Sequence, residues 1–160
     1  MIIFDFNTQS DISNWNTIND MVMGGKSNSA FTLNDLGFGV FSGMVSLENN
    51  GGFSMVQYNF ETKNVADFTK VCLRIKGDGK TYQFRIKSKA SDKHSYIAAF
   101  KSETDWTTIE IAFNSMYPAF RGKTLNMPNY EGNHMEQIAF LIGNKKEESF
   151  TLVIDSIVLK

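Results

Sequence analysis

The sequence predicts an all-β protein built as an antiparallel β-sandwich. Apolar and polar residues alternate in several short segments, as in strands that have one buried and one solvent-facing side. Glycines cluster at 24–25, 37–39, 51–52 and 77–79, which is the spacing of turns between short strands. The 14 phenylalanines can fill a core between two sheets, and no segment shows the sustained apolar spacing of a helix.

Five segments carry the strand pattern, in the order 71–76, 81–87, 96–100, 107–113 and 150–154. In the second segment, Tyr82, Phe84 and Ile86 are expected to point inward, so that Gln83 and Arg85 point outward. The turn sequence 77–79, Gly-Asp-Gly, predicts that the first two segments pair as a hairpin. The alternation also predicts a buried set that consists of Phe84, Ile109, Ile111, Phe150, Leu152 and Ile154.

Length and charge narrow the classes of function. A chain of 160 residues is typical of a single domain, here residues 1–160. Sixteen basic and 17 acidic residues give a net charge of −1, so the strongly basic field of a nucleic-acid binder is absent. No apolar run reaches the length of a membrane span, and the first residues lack a signal-peptide pattern. A cytoplasmic location is therefore expected, without nucleic-acid or membrane partners.

Residues suited to catalysis or metal binding are sparse. His94 and His134 stand in polar stretches, and the one cysteine, Cys72, has no histidine near it in sequence, so neither an enzyme nor a cofactor is expected. Asp5 and Asp155 fall in the first and last predicted strands, which often meet in jelly rolls. A structural calcium ion between these two carboxylates is one interpretation, and surface or capping carboxylates are the other.

Two loops contain more special residues than ordinary connections need. The longer one is Trp-Asn-Thr-Ile-Asn-Asp-Met-Val-Met-Gly-Gly-Lys-Ser at 15–27, and the other is Asn-Asn-Gly-Gly-Phe at 49–53. Asn and Asp can bond the nearby backbone, whereas paired glycines permit a positive φ and a close approach by another chain. Both loops could simply lock the edge of a sandwich. The alternative is a contact surface that includes Trp15, Asn19, Asp20, Met23, Gly24, Gly25 and Ser27.

These motifs resemble the complex I intermediate-associated protein 30 family. The resemblance rests on Trp15 and the Asn-Asp-x-x-Met-Gly-Gly-x-Ser loop at 19–27, and on Asn-Gly-Gly-Phe at 50–53. It continues with Arg-x-x-Gly-Asp-Gly-x-x-Tyr at 74–82 and closes with Ile-Asp-Ser-Ile at 154–157. The matching motifs run in order through nearly the whole chain.

The resemblance implies an antiparallel jelly-roll sandwich of the galactose-binding-like type, close in shape to several carbohydrate-binding modules. It also implies a non-catalytic binding or assembly module, since eukaryotic members help to assemble respiratory complex I. The family usually has an arginine shortly after the Gly-Gly-Phe turn, where this chain has Gln57. A glutamine keeps a hydrogen bond to a partner but loses the charge.

The candidate contact surface joins the loop at 19–27 to polar and basic residues elsewhere: Gln57, Arg74, Gln83, Arg85 and Arg121. A protein partner or a small polar ligand is expected to bind there. One alternative is an ordinary solvated sheet face, and another is a carbohydrate-binding face. Sugar rings favour exposed aromatic residues, and the inward parity of Tyr82 and Phe84 counts against that last interpretation.

Overall fold

A computed structural model describes residues 1–19, 26–48 and 52–160 of the chain, without the side chain of Asn19. All the paired strands in this part of the chain are antiparallel and form two sheets. The predicted antiparallel β-sandwich is therefore confirmed.

The described residues contain thirteen strands and a short 3₁₀ helix at Phe113–Ser115. The strands are β1 (Ile2–Asp5), β2 (Trp15–Asn19), β3 (Asn28–Leu33), β4 (Gly39–Val45), β5 (Ser54–Asn64), β6 (Lys70–Lys76), β7 (Thr81–Lys87), β8 (Ser95–Lys101), β9 (Thr107–Ala112), β10 (Tyr117–Phe120), β11 (Lys123–Thr124), β12 (His134–Ile142) and β13 (Glu148–Leu159).

The two sheets contain six and seven of these strands. The six-stranded sheet has the order β3-β4-β13-β6-β9, with β1 also paired to β13. The seven-stranded sheet has the order β11-β10-β8-β7-β12-β5-β2. Consecutive strands often lie in different sheets, so the chain crosses repeatedly from one side of the sandwich to the other.

The core lies between the sheets and is rich in aromatic rings. Phe41 and Phe150 of the six-stranded sheet have ring centroids 4.8 Å apart, and Tyr82 of the opposite sheet lies 6.4 Å from Phe150. The predicted buried set is confirmed except at Ile109, which is only half-buried. Ile109 belongs to β9, the edge strand, where a neighbouring strand covers it on one side only.

The predicted hairpin between segments 71–76 and 81–87 is wrong. The first segment is β6, which pairs with β13 and β9, and the second is β7, which pairs with β12 and β8. The turn at 77–79 thus passes between the sheets. Alternation shows which side of a strand is buried, but it does not show which strand lies beside it.

Asp78 fastens this turn to both sheets. Its Oδ2 accepts hydrogen bonds from the Tyr82 hydroxyl of the seven-stranded sheet and from the Thr151 N–H of the six-stranded sheet, each at 2.9 Å. Its Oδ1 accepts the N–H of Lys80 at 3.1 Å. Gly79 follows with φ +81°, a conformation that glycine adopts without strain. The Gly-Asp-Gly motif therefore has a structural role.

Candidate ligand-binding face

The outer side of the seven-stranded sheet carries a continuous row of side chains across six strands. The pairing register aligns Tyr117, Ile97, Arg85, Ala139, Gln57 and Asn16, in that order. Since neighbouring strands lie about 4.8 Å apart, the row is roughly 24 Å long. We call this row, together with the two rows beside it, the Arg85 face. One flanking row contains Ala99, Gln83, Leu141, Met55 and Ile18. The other contains Lys87, Gln137 and Asn59.

Arg85 occupies the centre of this face without a charged partner among the described residues. Its Nε is fully buried and makes no hydrogen bond, while its Nη1 lies 3.8 Å from the Met55 sulfur, a weak acceptor. Its neighbours in the row, Ile97 and Ala139, are both almost completely buried. Burial lowers the pKa of the Arg85 guanidinium, but an arginine remains charged at neutral pH.

Gln83 contains a hydrogen-bond acceptor that also lacks a partner. It lies two residues before Arg85 on the same side of β7, and its Oε1 is buried without a hydrogen bond. Side chains two residues apart on a strand share one side and are roughly 7 Å apart. The centre of the face therefore holds an unsatisfied donor, Arg85 Nε, next to an unsatisfied acceptor, Gln83 Oε1. Both atoms are buried, although the two residues are only half-buried overall.

The polar groups in the row that contains Lys87 are already engaged. Gln137 Nε2 donates to Asn59 Oδ1 at 2.7 Å, and Lys87 Nζ donates to the Asp92 carbonyl at 2.7 Å. Burial, assisted by the nearby Arg85 charge and opposed by the Asp92 carboxylate, lowers the pKa of Lys87. The three rows contain two basic residues and no carboxylate, so the face is positively charged.

Comparison with known proteins assigns this chain to a family. The family model for Complex I intermediate-associated protein 30 matches residues 4–154. The chain belongs to this family. Among curated proteins, no sequence matches it.

The fold of this family member is also found in carbohydrate-binding modules. A family 11 module of a cellulosomal cellulase of Clostridium thermocellum is 19% identical, with a TM-score of 0.73 over 99% of this chain and 92% of that chain. The family 11 module in complex with a β-1,3-1,4-mixed-linked tetrasaccharide is 20% identical, with a TM-score of 0.70 over 99% and 93%. A structure of an exo-β-agarase is 10% identical, with a TM-score of 0.63 over 99% of this chain and 25% of that chain. These likenesses confirm the jelly-roll fold of the galactose-binding-like type.

Three of the site residues predicted from the sequence of this family member lie together. Gln57, Gln83 and Arg85 all belong to the Arg85 face, with Gln57 two strands from Arg85 in the same row. Arg74 lies on the outer side of the other sheet, in β6. The predicted surface that joins Arg74 to Arg85 is therefore not formed, because outward positions of β6 and β7 face opposite sides of the sandwich.

Arg74 has partners of its own. Its Nε lies 3.5 Å from Asp155 Oδ2, and its guanidinium carbon lies 5.5 Å from the centre of the Trp106 ring. The ion pair is accessible to solvent, since the Arg74 side chain is 50% exposed. Because Arg74 is solvated and already has a carboxylate partner, it does not require an external anion.

Trp15 and Ser27 anchor the two ends of the loop that the family motif marks. Trp15 is buried, and its ring stacks between Phe31 and Tyr58 at centroid distances of 4.6 and 4.8 Å. Ser27 Oγ accepts the Ser46 N–H at 2.9 Å and donates to the Ser46 carbonyl at 3.2 Å. Both residues therefore contribute to packing and loop closure, and a binding role for either stays a prediction.

The structure describes little of the other predicted loop residues. Asn19 is aligned with Ser54 in the backbone register of β2 and β5. Asp20, Met23, Gly24 and Gly25 lie outside the described residues, so their role in binding stays a prediction.

Arg121 lies in the turn between β10 and β11, at the edge of the seven-stranded sheet. It has φ +52°, and its guanidinium carbon is 5.1 Å from the centre of the Phe120 ring. It follows the strand that carries Tyr117 but is not a member of the Arg85 face. Its contribution to binding also stays a prediction.

The two candidate calcium ligands lie on adjacent strands. β1 pairs with β13, so that Asp5 is opposite Ser156 and one position away from Asp155. Asp155 is occupied by the ion pair with Arg74. Within residues 1–19, 26–48 and 52–160, no group of three or more His, Cys, Asp or Glu residues is arranged to hold a metal ion. The same residues contain no apolar helix of membrane-spanning length.

Several members of the Arg85 face were not predicted from the sequence. Tyr117 is an exposed aromatic residue at one end of the central row, yet it precedes a proline in a stretch without clear alternation. Met55 and Lys87 contact or neighbour Arg85 only because of strand pairing and side-chain packing. In the sequence, the alternation within β5 assigns Met55 to the same side as Gln57. That alternation is the one sequence signal that could have added Met55 to the predicted site.

Proposed function

We propose that this family member is a non-catalytic binding module whose ligand contacts the Arg85 face. The main support is the environment of Arg85, whose buried Nε has no hydrogen-bond partner and whose charge has no described counterion. Arg85 is half-buried on the outer side of the sheet, so a partner that supplies an acceptor or an anion would not have to displace an ion pair within the described part of the chain.

The family supports a protein as one class of partner. Its name refers to intermediates of complex I, and an assembly role requires contact with other subunits. A face roughly 24 Å long, with an unpaired arginine at its centre, fits this role because buried arginines are frequent anchors of protein interfaces.

A carbohydrate is the second candidate ligand. The half-buried side chains of Gln83 and Arg85, which share one side of β7, favour it, because sugar hydroxyls form hydrogen bonds with amide and guanidinium groups. Tyr117 is 37% exposed and offers an aromatic ring at the end of the row. The likeness to a family 11 module that was solved with a tetrasaccharide adds support to this candidate.

Site-specific photo-cross-linking in the native cell tests the assignment of the face. A photoreactive residue replaces Gln57 on the Arg85 face or, as the matched control, Thr108, which lies opposite Arg74 on the outer side of the other sheet. We expect specific cross-linked products, peptide or glycan, from position 57 and none from position 108. Products from position 108 alone would contradict the assignment, and the absence of products from both would contradict the binding role.

A further inference from the structure

The structure describes six of the eight methionines of the chain, and one of them has an unusual neighbour. Three are exposed and two are fully buried, namely Met1, Met44 and Met127, and Met116 and Met135. The sixth, Met55, is half-buried in β5, on the outer side of the seven-stranded sheet. Among these six it is the one whose sulfur lies within reach of a hydrogen-bond donor, the guanidinium of Arg85.

The contact joins a weak acceptor to a donor that lacks a strong one. The Met55 sulfur lies 3.8 Å from Arg85 Nη1, and a thioether accepts hydrogen bonds only weakly. Within the described part of the chain, Arg85 forms no ion pair and its Nε makes no hydrogen bond. A stronger acceptor on the sulfur would therefore gain a charge-assisted hydrogen bond without competing with a carboxylate of those residues.

Oxidation converts this sulfur into such an acceptor. A sulfur lone pair attacks one oxygen of hydrogen peroxide, an S–O bond forms as the O–O bond breaks, and the second oxygen leaves as water with the proton of the first. The sulfur loses two electrons and the peroxide gains them. The new oxygen reaches Nη1, because an S–O bond and a hydrogen bond of about 2.9 Å span the 3.8 Å between the two atoms at a bent angle.

The other neighbours of Met55 make this hydrogen bond important. Leu141 and Ile18 flank Met55 in its row, and both are half-buried. A sulfoxide is polar and chiral, so beside two aliphatic side chains it costs free energy unless a donor bonds its oxygen. The two epimers direct that oxygen differently, so Arg85 binds one of them better than the other.

We propose that Met55 is a site of reversible oxidation by a peroxide, at which Arg85 binds the oxygen of the resulting sulfoxide. Methionine sulfoxide reductases reverse the reaction, and each enzyme class acts on one epimer. The modified residue occupies the guanidinium at the centre of the Arg85 face, so oxidation weakens ligand binding there. This regulatory part rests on the proposed function, whereas the modification site does not.

The rate of oxidation at each methionine tests whether the oxidant reaches Met55. The full chain is treated with hydrogen peroxide, and peptide mass spectrometry follows each sulfur. Met55 is expected to react more slowly than exposed Met44 but several-fold faster than buried Met116, because susceptibility follows exposure. A rate at Met55 equal to that at Met116 would refute the modification site.

Melting temperatures test the role of Arg85. The unchanged chain and Met55→Leu are melted before and after a treatment that oxidises Met55 completely, so the difference between their shifts is the effect of Met55 alone. The pair is measured again with Arg85→Leu and, as the matched control, with Arg74→Leu. Oxidation of Met55 is expected to lower the melting temperature by at least about 3 °C more with Arg85→Leu than in the other two backgrounds. Equal effects in all three would refute the bond to Arg85.

The two epimers provide a test that needs no variant. The oxidised, folded chain is treated with each epimer-specific reductase in turn. At Met55, one epimer is expected to be reduced several-fold more slowly than in the unfolded chain, because Arg85 binds its oxygen, whereas both epimers at exposed Met44 are reduced as in the unfolded chain. Unhindered reduction of both epimers at Met55 would contradict the bond.

Cross-linking from position 57 tests the regulatory part. In cells exposed to hydrogen peroxide, its products are expected to decrease several-fold, and to persist when the chain also carries Met55→Leu. Undiminished products would refute the regulation and leave the modification site to the melting shifts. An absence of products before oxidation would refute the proposed function, and the regulation with it, while the melting shifts still decide the modification site.

Discussion

Arg74 and Arg85 are outward residues of consecutive strands, yet they have opposite environments. Arg74 is half-exposed, forms an ion pair with Asp155 and lies beside the Trp106 ring. Arg85 has a buried Nε without a partner and lies between two buried apolar residues. An outward arginine of a sandwich can thus be ion-paired within the chain on one sheet and lack a charged partner on the other. The unsatisfied position is the better guide to a ligand, because its own protein does not complete its contacts.

The contrast between the two outer faces depends on the sheets remaining packed, and Phe150 tests this packing. Phe150→Ala removes ring contacts to both Phe41 and Tyr82 from the centre of the core. The free energy of unfolding is expected to fall by about 3–5 kcal/mol in chemical denaturation. Leu36→Ala, at a position that is 76% exposed, is the control and should change it by less than about 0.5 kcal/mol. A similar small effect at both positions would show that the two sheets do not share this core.

Asp78 tests the turn that places β6 and β7 in different sheets. Asp78→Ala leaves the Tyr82 hydroxyl and the Thr151 N–H without their acceptor. We expect a loss of about 2–3 kcal/mol of unfolding free energy, since the acceptor is a carboxylate that serves several donors. Asp105→Ala is the control, because Asp105 is exposed and lies in the connection between β8 and β9. Equal stability of the two variants would mean that the carboxylate does not join the sheets.

The two arginines can be compared directly through their methionine variants. Arg74→Met loses an exposed ion pair and is expected to cost about 0.5–1 kcal/mol. Arg85→Met removes a partly buried charge without an anion, and is expected to be neutral or to stabilise the fold by about 1 kcal/mol. Both values come from urea denaturation. If Arg85→Met destabilised the chain by more than Arg74→Met, the Arg85 guanidinium would have a structural role and the comparison would fail.

Calcium is expected to have the smallest effect. An ion held by Asp5 and Asp155 would stabilise the folded chain, so a chelator would lower the melting temperature and added calcium would restore it. Because Asp155 is already paired with Arg74, we expect the shift to be smaller than that caused by Arg74→Met. Asp5→Asn is the control, which should abolish whatever shift occurs. An unchanged melting curve would remove the calcium site and leave Asp155 as the structural partner of Arg74.

The fold was predictable from the sequence because strand parity is a local property. The alternation at 81–87 correctly assigned Tyr82, Phe84 and Ile86 to the core, since neighbouring side chains on a strand must point to opposite sides. The pairing of β6 with β13 depends on residues roughly eighty positions apart. Nothing in the turn at 77–79 distinguishes a hairpin from a crossing between sheets.

The site was predictable only in part. Outward parity predicts Gln83 and Arg85, and the family resemblance marks the position of Gln57; the seven-stranded sheet does bring the three together. The sequence alone could not show that Arg85 lacks a counterion, because an outward arginine is solvated by default. It also could not exclude Arg74, whose partner Asp155 lies in another strand.

The hydrogen bond from Thr151 to Asp78 also has a consequence for the dynamics of the sandwich. The Thr151 amide donates to a side chain of the turn between sheets, although Thr151 itself is exposed. Its exchange with solvent deuterium therefore requires the carboxylate to leave β13, an opening that fraying of the strand alone does not produce. Slow exchange at this one exposed position would report the cooperativity of the two sheets, and fast exchange would show that they open independently.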